Sequence, residues 1–142
     1  RRVLFRSWLD AVHGWLAQEI VAHPRLVVAG DFNIAPDDRD VHDPVVWNDA
    51  SILTSTAERA ALARLMALGL HDSFRLHHDE GGVFSWWDYR AAGYRRNLGL
   101  RIDLCLVSDA LKAACTGASI DREPREWERP SDHAPALVTL TT

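Results

Sequence analysis

Segments with helical spacing of apolar residues alternate along this chain with short apolar runs typical of strands, and this alternation limits the possible folds most. Residues 3–20 place apolar side chains three and four positions apart, which predicts an amphipathic helix that ends before Pro24. The Trp side chains of this helix are expected to lie in the core. A second helix is predicted over residues 54–69, with Ser55 or Thr56 as its cap.

The apolar runs outside these helices predict strands. "RLVVAG" (25–30) is a short β-branched run, typical of a strand buried on both faces. A short helix, "DALKAAC", is expected to be capped by Asp109, and residues 35–55 predict a long irregular loop. Strands interleaved with helices indicate an α/β layered fold. The further predicted strands are "LHDSFR" (70–75), "VFSWWDY" (83–89), "LRIDLCLVS" (100–108), "GASIDREP" (117–124) and "APALVTLTT" (134–142).

The composition is that of a globular protein, with 47% apolar and 25% charged residues. The formal net charge of −4 argues against a broad basic surface that binds nucleic acid without regard to sequence. A local basic strip can still contact phosphate while the whole chain stays acidic. The candidate strip is "DYRAAGYRRNLGLRID", which carries Arg90, Arg95, Arg96 and Arg101.

Targeting signals and cysteine chemistry give few constraints. No apolar run reaches the length of a membrane span, and no signal peptide is recognisable. Because the first residue is Arg1, the start of the chain is interpreted as truncated or processed. Cys105 and Cys115 have no metal-type spacing, and Cys105 is expected to be a buried free thiol. Nothing requires an oxidising compartment, so a cytoplasmic location is expected.

Acidic residues stand where several predicted strands end. They are Asp31, Asp103 and Asp132, the last within "SDH" beside His133. Acids at such positions are costly to bury without partners, and several of them with a histidine favour a site. The chemistry that fits is phosphodiester hydrolysis, which needs an activated water and neutralisation of the charge on phosphate.

Asp31 and Asn33 follow the first strand in "GDFN". If the segment stays extended, side chains two positions apart point the same way and can share one phosphate. The alternative is an Asx turn that only shapes the end of the strand.

The words "GDFN", "RIDL" and "SDHAP", in this order, resemble the endonuclease/exonuclease/phosphatase superfamily. "FSWWDYR" followed by "NLGLRID" is similar to the bacterial exonuclease III family of DNA-repair nucleases. This resemblance implies that residues 1–142 form the C-terminal portion of the domain, half of a four-layer α/β sandwich. It implies one mixed β-sheet with flanking helices, which is incomplete without the N-terminal half.

The resemblance also implies roles for individual residues. Asp31 positions or activates the attacking water, Asn33 holds a phosphate oxygen, and Asp103 orients the catalytic His133. Asp132 resembles the acid near the metal, and the expected cofactor is Mg²⁺ or Mn²⁺. Further positions match an apolar pocket for a flipped abasic sugar, formed by Trp86, Leu100 and Ile102, and a DNA-facing loop with Arg90 and Asn97.

The function implied is a metal-dependent DNA-repair phosphodiesterase. It would act as a 3′-5′ exodeoxyribonuclease, an abasic-site endonuclease and a 3′-phosphatase on double-stranded DNA with abasic sites or 3′ ends, and it would be a monomer at full length. The family's N-terminal half, with its metal-binding glutamate, has no counterpart here, so the chain alone is expected to have little or no activity. Two alternatives stay open: an enzyme that acts on a lipid or inositol phosphate, and a non-catalytic folding or partner module.

Overall fold

The computed structural model describes residues 2–141, so Arg1 and Thr142, which the predicted domain includes, lie outside the described residues. The first helix, α1 (Arg2–Ala22), and the second, α2 (Thr56–Met66), confirm the helices expected from spacing. Three short 3-10 helices cover Asp38–Asp40, Arg90–Ala92 and Glu123–Glu126. The other elements are β1 (Val27–Asp31), β2 (Leu70–Asp72), α3 (Ser73–His77), β3 (Trp86–Trp87), β4 (Gly99–Leu100), β5 (Asp103–Ser108), α4 (Asp109–Lys112), β6 (Cys115–Ile120) and β7 (Ala136–Leu140).

The strands form small antiparallel sheets. The central sheet has the order β1-β5-β2, and β3 pairs with β4 and β6 with β7. The α/β class is confirmed. The strands form three separate antiparallel sheets instead of the one mixed sheet that was expected. One break lies at Arg101 and Ile102, whose backbone N–H groups bond to the Asp40 carbonyl and to the Ser85 hydroxyl.

The two long helices cover one face of the central sheet. Leu9 and Leu16 of α1 and Leu62 and Leu65 of α2 are buried together with Leu104 of β5 in one apolar cluster. Side chains alternate between the faces of a strand, so Leu104 and Leu106 face the helices while Cys105 and Val107 face the other way. α2 begins with a capping box, in which the Ser55 hydroxyl and the Glu58 carboxylate each bond the other's backbone N–H.

The second face of the central sheet is open over β1. Val27, Ala29 and Asp31 share this face, because they pair with Val107, Cys105 and Asp103 of β5. Val27 is 37% exposed, and Ala29 and Asp31 are exposed as well. The prediction that this strand is buried on both faces is therefore wrong, because helices cover only one of them.

Three further expectations about elements differ from the structure. Trp8 and Trp15 are 50% and 59% exposed rather than core residues, because Leu9 and Leu16, one position later, take the inward stripe of α1. "SFR" is helical, since the Asp72 carboxylate accepts the Phe74 N–H and caps α3. Ser108, not Asp109, precedes α4 as its cap residue.

Other expectations are confirmed. Cys105 is a buried free thiol as expected, and Cys115, for which no prediction was made, is one as well. Residues 35–55 contain no helix or strand beyond the short 3-10 helix. Between residues 2 and 141, no helix combines the length and the apolar character that crossing a membrane requires.

Candidate active site

The register of β1 and β5 brings Asp31 and Asp103 together. The two residues are direct partners across the antiparallel pair, with Asp31 at the last position of β1 and Asp103 at the first position of β5. Paired residues share a face of the sheet, so both carboxylates point to the open side. The Asp31 side chain is 36% exposed and the Asp103 side chain only 17%. Asp103 thus begins its strand rather than ending it, and antiparallel pairing supplies the proximity.

His133 lies across the two carboxylates. Its Nδ1 is 2.8 Å from Asp103 Oδ2, and its Nε2 is 3.9 Å from Asp31 Oδ2. A hydrogen bond from Nδ1–H to Asp103 fixes the orientation of the ring and leaves Nε2 directed towards Asp31. The backbone of the histidine is held by the Ser131 hydroxyl, which accepts the His133 N–H at 3.1 Å. The side chains of Asp31, Asp103 and His133 thus lie together, and the roles predicted for them stay predictions.

Ser85 holds the backbone of Asp103 in place, and no role was predicted for it from the sequence. Ser85 is completely buried, and its hydroxyl oxygen accepts the N–H groups of Ile102 and Asp103, both at 3.0 Å. Its carbonyl accepts the N–H of Ala134, next to His133. The signal available in the sequence was a single small polar residue inside the aromatic run "FSWW".

Burial also changes the acidity of Asp103. Loss of water around the carboxyl group raises its pKa above the ordinary value of 3.8, and hydrogen bonds with His133 and Ser85 offset part of the increase. A buried carboxylate is costly to leave unpaired, so a cation beside it lowers that cost. Asp103 is therefore a suitable partner for a protonated imidazole.

The same three side chains form a possible metal-binding group. One ligand atom each from Asp31, Asp103 and His133 lies within 4.8 Å of the others. Two carboxylates suit a hard divalent cation such as Mg²⁺ or Mn²⁺, which keeps several water ligands and so needs few protein ligands. The donor set therefore fits such an ion, with Asp31 and Asp103 as the residues that would hold it.

Asp132, the predicted metal acid, is positioned differently. Its carboxylate accepts a hydrogen bond from Trp86 Nε1 at 3.0 Å, and it does not belong to the three-residue group. Its role at the metal stays a prediction.

Asn33 lies in a turn rather than on an extended segment. Its φ of 51° is left-handed, and its N–H donates to Asp31 Oδ1 at 2.8 Å. This is the Asx turn that was the alternative reading of "GDFN". The argument from alternation along a strand therefore fails for Asn33, although its side chain is exposed and close to Asp31 in the chain.

The predicted pocket residues do cluster, but mostly under the surface. Leu100 and Ile102 are 0% and 2% exposed, and Trp86 packs against them as a partly buried ring. Trp86 is thus the member of the three that the solvent reaches most. A role of this cluster in holding a sugar stays a prediction.

The basic strip is divided by burial. Arg90 is exposed and forms an ion pair with Asp88, whereas Arg101 is 1% exposed and binds Asp40 and Asp72 inside the protein. The inclusion of Arg101 in a phosphate-contacting strip is therefore wrong, because its guanidinium forms ion pairs with two buried carboxylates. Asn97 also has internal partners: its amide accepts from Trp87 Nε1 and donates to the Gly82 carbonyl.

These features define a class of protein: an α/β protein with two acids and a histidine gathered at one end of its central sheet. The model of the Endonuclease/Exonuclease/phosphatase family matches residues 4–133, and the chain belongs to this family.

Individual relatives agree with this family. Exodeoxyribonuclease III of Haemophilus influenzae is 42% identical over 118 residues, which cover 78% of this chain and 43% of the relative. The exodeoxyribonuclease of Bacillus subtilis is 35% identical over 136 residues, which cover 94% of the chain and 51% of the relative. The chain thus spans about half the length of the curated relatives it matches.

A solved structure described as the 3′ phosphatase NExo from Neisseria, bound to a product DNA hairpin, matches with a TM-score of 0.94 and 44% identity. The match covers 96% of this chain and 53% of that one. The likeness extends over nearly all of the described fold.

Proposed function

We propose that the chain provides the acid–histidine part of a metal-dependent nuclease that hydrolyses phosphodiester and phosphomonoester bonds at DNA 3′ ends. The observation that carries this proposal is the contact of His133 with Asp103 at 2.8 Å beside the exposed carboxylate of Asp31. Three groups from distant segments meet there, with one ligand atom of each within 4.8 Å of the others. The activities of the similar proteins, a 3′ phosphatase and exodeoxyribonucleases, support DNA as the substrate over a lipid or inositol phosphate.

Each residue has a stated task in the proposed mechanism, and Asp31 and Asp103 have a second one towards the metal. The exposed Asp31 carboxylate orients the attacking water and accepts its proton as the water oxygen bonds to phosphorus. The P–O bond to the leaving oxygen breaks, and that oxygen takes up a proton from solvent. His133 directs Nε2 towards the phosphate, where its imidazolium form donates to a non-bridging oxygen. Asp103 stabilises that imidazolium through Nδ1–H, and Asn33 contributes an amide donor from the adjoining turn. A Mg²⁺ or Mn²⁺ ion held by Asp31 and Asp103 would neutralise charge on the phosphate.

Abasic-site cleavage is a second candidate activity. An AP endonuclease from Archaeoglobus fulgidus matches with a TM-score of 0.88 and 30% identity over 96% of this chain and 53% of that one. The partly buried Trp86 ring, which packs on the buried Leu100 and Ile102, offers an apolar wall for a sugar that has lost its base. Such a site is cheap to extrude because no base is unstacked.

Single substitutions test the proposed roles. Asp31→Asn and His133→Ala, made in the full-length gene product, should each lower turnover on a 3′-phosphate duplex by at least about a hundredfold, the scale of a lost acid or base. Asp10→Asn and His23→Ala are matched controls, since both residues are exposed and belong to α1 or the turn after it. Near-full activity in either test variant would refute the assigned roles.

A second comparison separates the two activities. Trp86→Ala should lower cleavage of an abasic duplex more than removal of a 3′-phosphate, because only the abasic sugar needs the apolar wall. An equal loss on the two substrates would remove the pocket assignment.

A further inference from the structure

An apolar depression lies beside the candidate active site, between the loop that follows the first 3-10 helix and the loop that follows β3. It has a volume of about 250 Å³. The residues that matter for its chemistry are His42, Trp47, Trp86, Asp88, Arg90 and Leu98. It shares Trp86 with the cluster discussed above, but Leu100 and Ile102 do not line it.

Its aromatic wall is fixed in advance. The His42 ring and backbone N–H both contact the Gly99 carbonyl, with Nδ1 at 3.2 Å and the N–H nitrogen at 3.1 Å. The His42 and Trp47 rings meet edge to face with their centroids 6.3 Å apart. Trp47 also packs against the buried cluster that includes Leu100. A flat ligand would find these rings already ordered, so little conformational entropy would be lost on binding.

Trp86 connects the depression to the active site. Its ring lines the depression, its Nε1 donates to Asp132, and its backbone forms a bridge with His133. Trp86 is thus common to the depression and to the segment that carries His133. Arg90 stands at the rim with 89% of its side chain exposed and paired with Asp88, so contact with the backbone of a nucleic acid would be made by an ion-paired guanidinium.

We propose that this depression binds the base of the terminal nucleotide that the exonuclease reaction releases. Trp47 is then the residue that distinguishes nucleotide release from removal of a 3′-phosphate. The inference rests on the proposed function. Base–aromatic stacking tolerates any of the four bases, because each presents a π-face, and this suits an enzyme that removes nucleotides in succession. The apolar lining excludes a second phosphate from the depression, while the rim cation sits where the strand would pass.

The proposal separates two reactions at the same catalytic groups. Exonuclease cleavage places a whole nucleotide beyond the scissile phosphate, whereas removal of a 3′-phosphate places nothing there. Trp47 should therefore matter for the first reaction and not for the second.

The test uses the full-length gene product and two duplexes of one sequence, ending in a recessed 3′-hydroxyl or in a 3′-phosphate. Trp47→Ala should lower kcat/KM for nucleotide release by about tenfold, the scale of one lost stack, with phosphatase activity within about twofold. Trp47→Phe keeps a flat ring and should retain most exonuclease activity, whereas Trp47→Leu keeps apolar bulk and should behave like Ala. Trp8→Ala removes an exposed Trp from α1 and should change neither reaction.

Equal losses on both duplexes, or no loss in a folded Trp47→Leu variant, would overturn the proposal. Binding of deoxyadenosine 5′-monophosphate and of deoxyribose 5-phosphate, measured by calorimetry, gives an independent readout. The nucleotide should bind more tightly than the sugar phosphate, and Trp47→Leu should remove the difference. If the parent protein cuts neither duplex, the proposed function fails, and this binding difference alone then supports or overturns the stacking site.

Discussion

At the residue scale, Ser85 shows how a side chain without a reactive group can control the candidate site. Its hydroxyl oxygen accepts two adjacent backbone N–H groups, and its carbonyl accepts another beside His133. Both halves of the Asp103–His133 pair are therefore attached to one buried residue. Groups that orient a catalytic or ligand side chain are often worth a factor of 10 to 100 in activity.

Ser85→Ala should lower kcat by about tenfold with little change in KM, because the Asp103 carboxylate loses its alignment while DNA contacts remain. Ser85→Thr keeps the hydroxyl and should restore most of the rate. Steady-state kinetics on a 3′-phosphate duplex would measure both variants. A folded Ser85→Ala protein with unchanged kcat would contradict the positioning role.

The Asp88–Arg90 pair gives a residue-scale prediction about pH. Hydrogen bonds from Arg90 lower the pKa of Asp88 from 3.8 to about 2. Because the folded pKa lies below the unfolded one, the pair stabilises the fold above pH 3.8 and this contribution disappears as the pH falls towards about 2. In Arg90→Ala, the NMR titration midpoint of Asp88 should rise towards 3.8. An unchanged midpoint would mean that the ion pair is absent in solution.

At the element scale, a buried ion-pair network joins the loop after β1 to the central sheet. Arg101 Nε is 2.7 Å from Asp40, and its terminal nitrogens are 3.1 and 2.7 Å from the two oxygens of Asp72. Arg75 also binds Asp40. The network fixes the short segment between β4 and β5, and that segment leads directly into Asp103. The position of Asp103 thus depends on side chains of β2 and of the loop after β1.

Arg101→Leu should destabilise the protein by about 3–5 kcal/mol, because it leaves the Asp40 and Asp72 carboxylates buried with a partner missing. Arg64→Leu is the matched control: the Arg64 side chain is 61% exposed and pairs with Asp10 at the surface, so its loss should cost less than about 1 kcal/mol. Urea unfolding monitored by circular dichroism would compare them. Equal destabilisation would show that the buried network adds nothing beyond a surface pair.

At the scale of the whole molecule, the open face of the central sheet carries the candidate site at one end. A depression of about 520 Å³ runs along it, lined by residues of β1 and β5 and of the segment around His133. Only half of the length of the relatives is represented by this chain. We propose that a further segment covers this face in the active protein and completes the metal ligands, as the family resemblance implies.

The isolated 142-residue chain, supplied with Mg²⁺ or Mn²⁺, should therefore cut an abasic or 3′-phosphate duplex at least about a hundredfold more slowly than the full-length gene product. The expected cause is an incomplete metal site beside an open sheet face. Rates measured at equal concentrations, with circular dichroism as a control for folding, would test this. A normal rate from the chain alone would contradict it.

Local sequence patterns determined the two long helices, because the spacing of apolar residues along a helix depends only on neighbours in the chain. The candidate residues Asp31, Asp103 and His133 came from the resemblance of "GDFN", "RIDL" and "SDHAP" to a known family. Only the tertiary structure decided which groups meet. The β1–β5 register and the burial of Arg101 come from contacts between residues distant in sequence. The turn at Asn33 comes from a hydrogen bond that competes with the extended strand. None of the three follows from local periodicity.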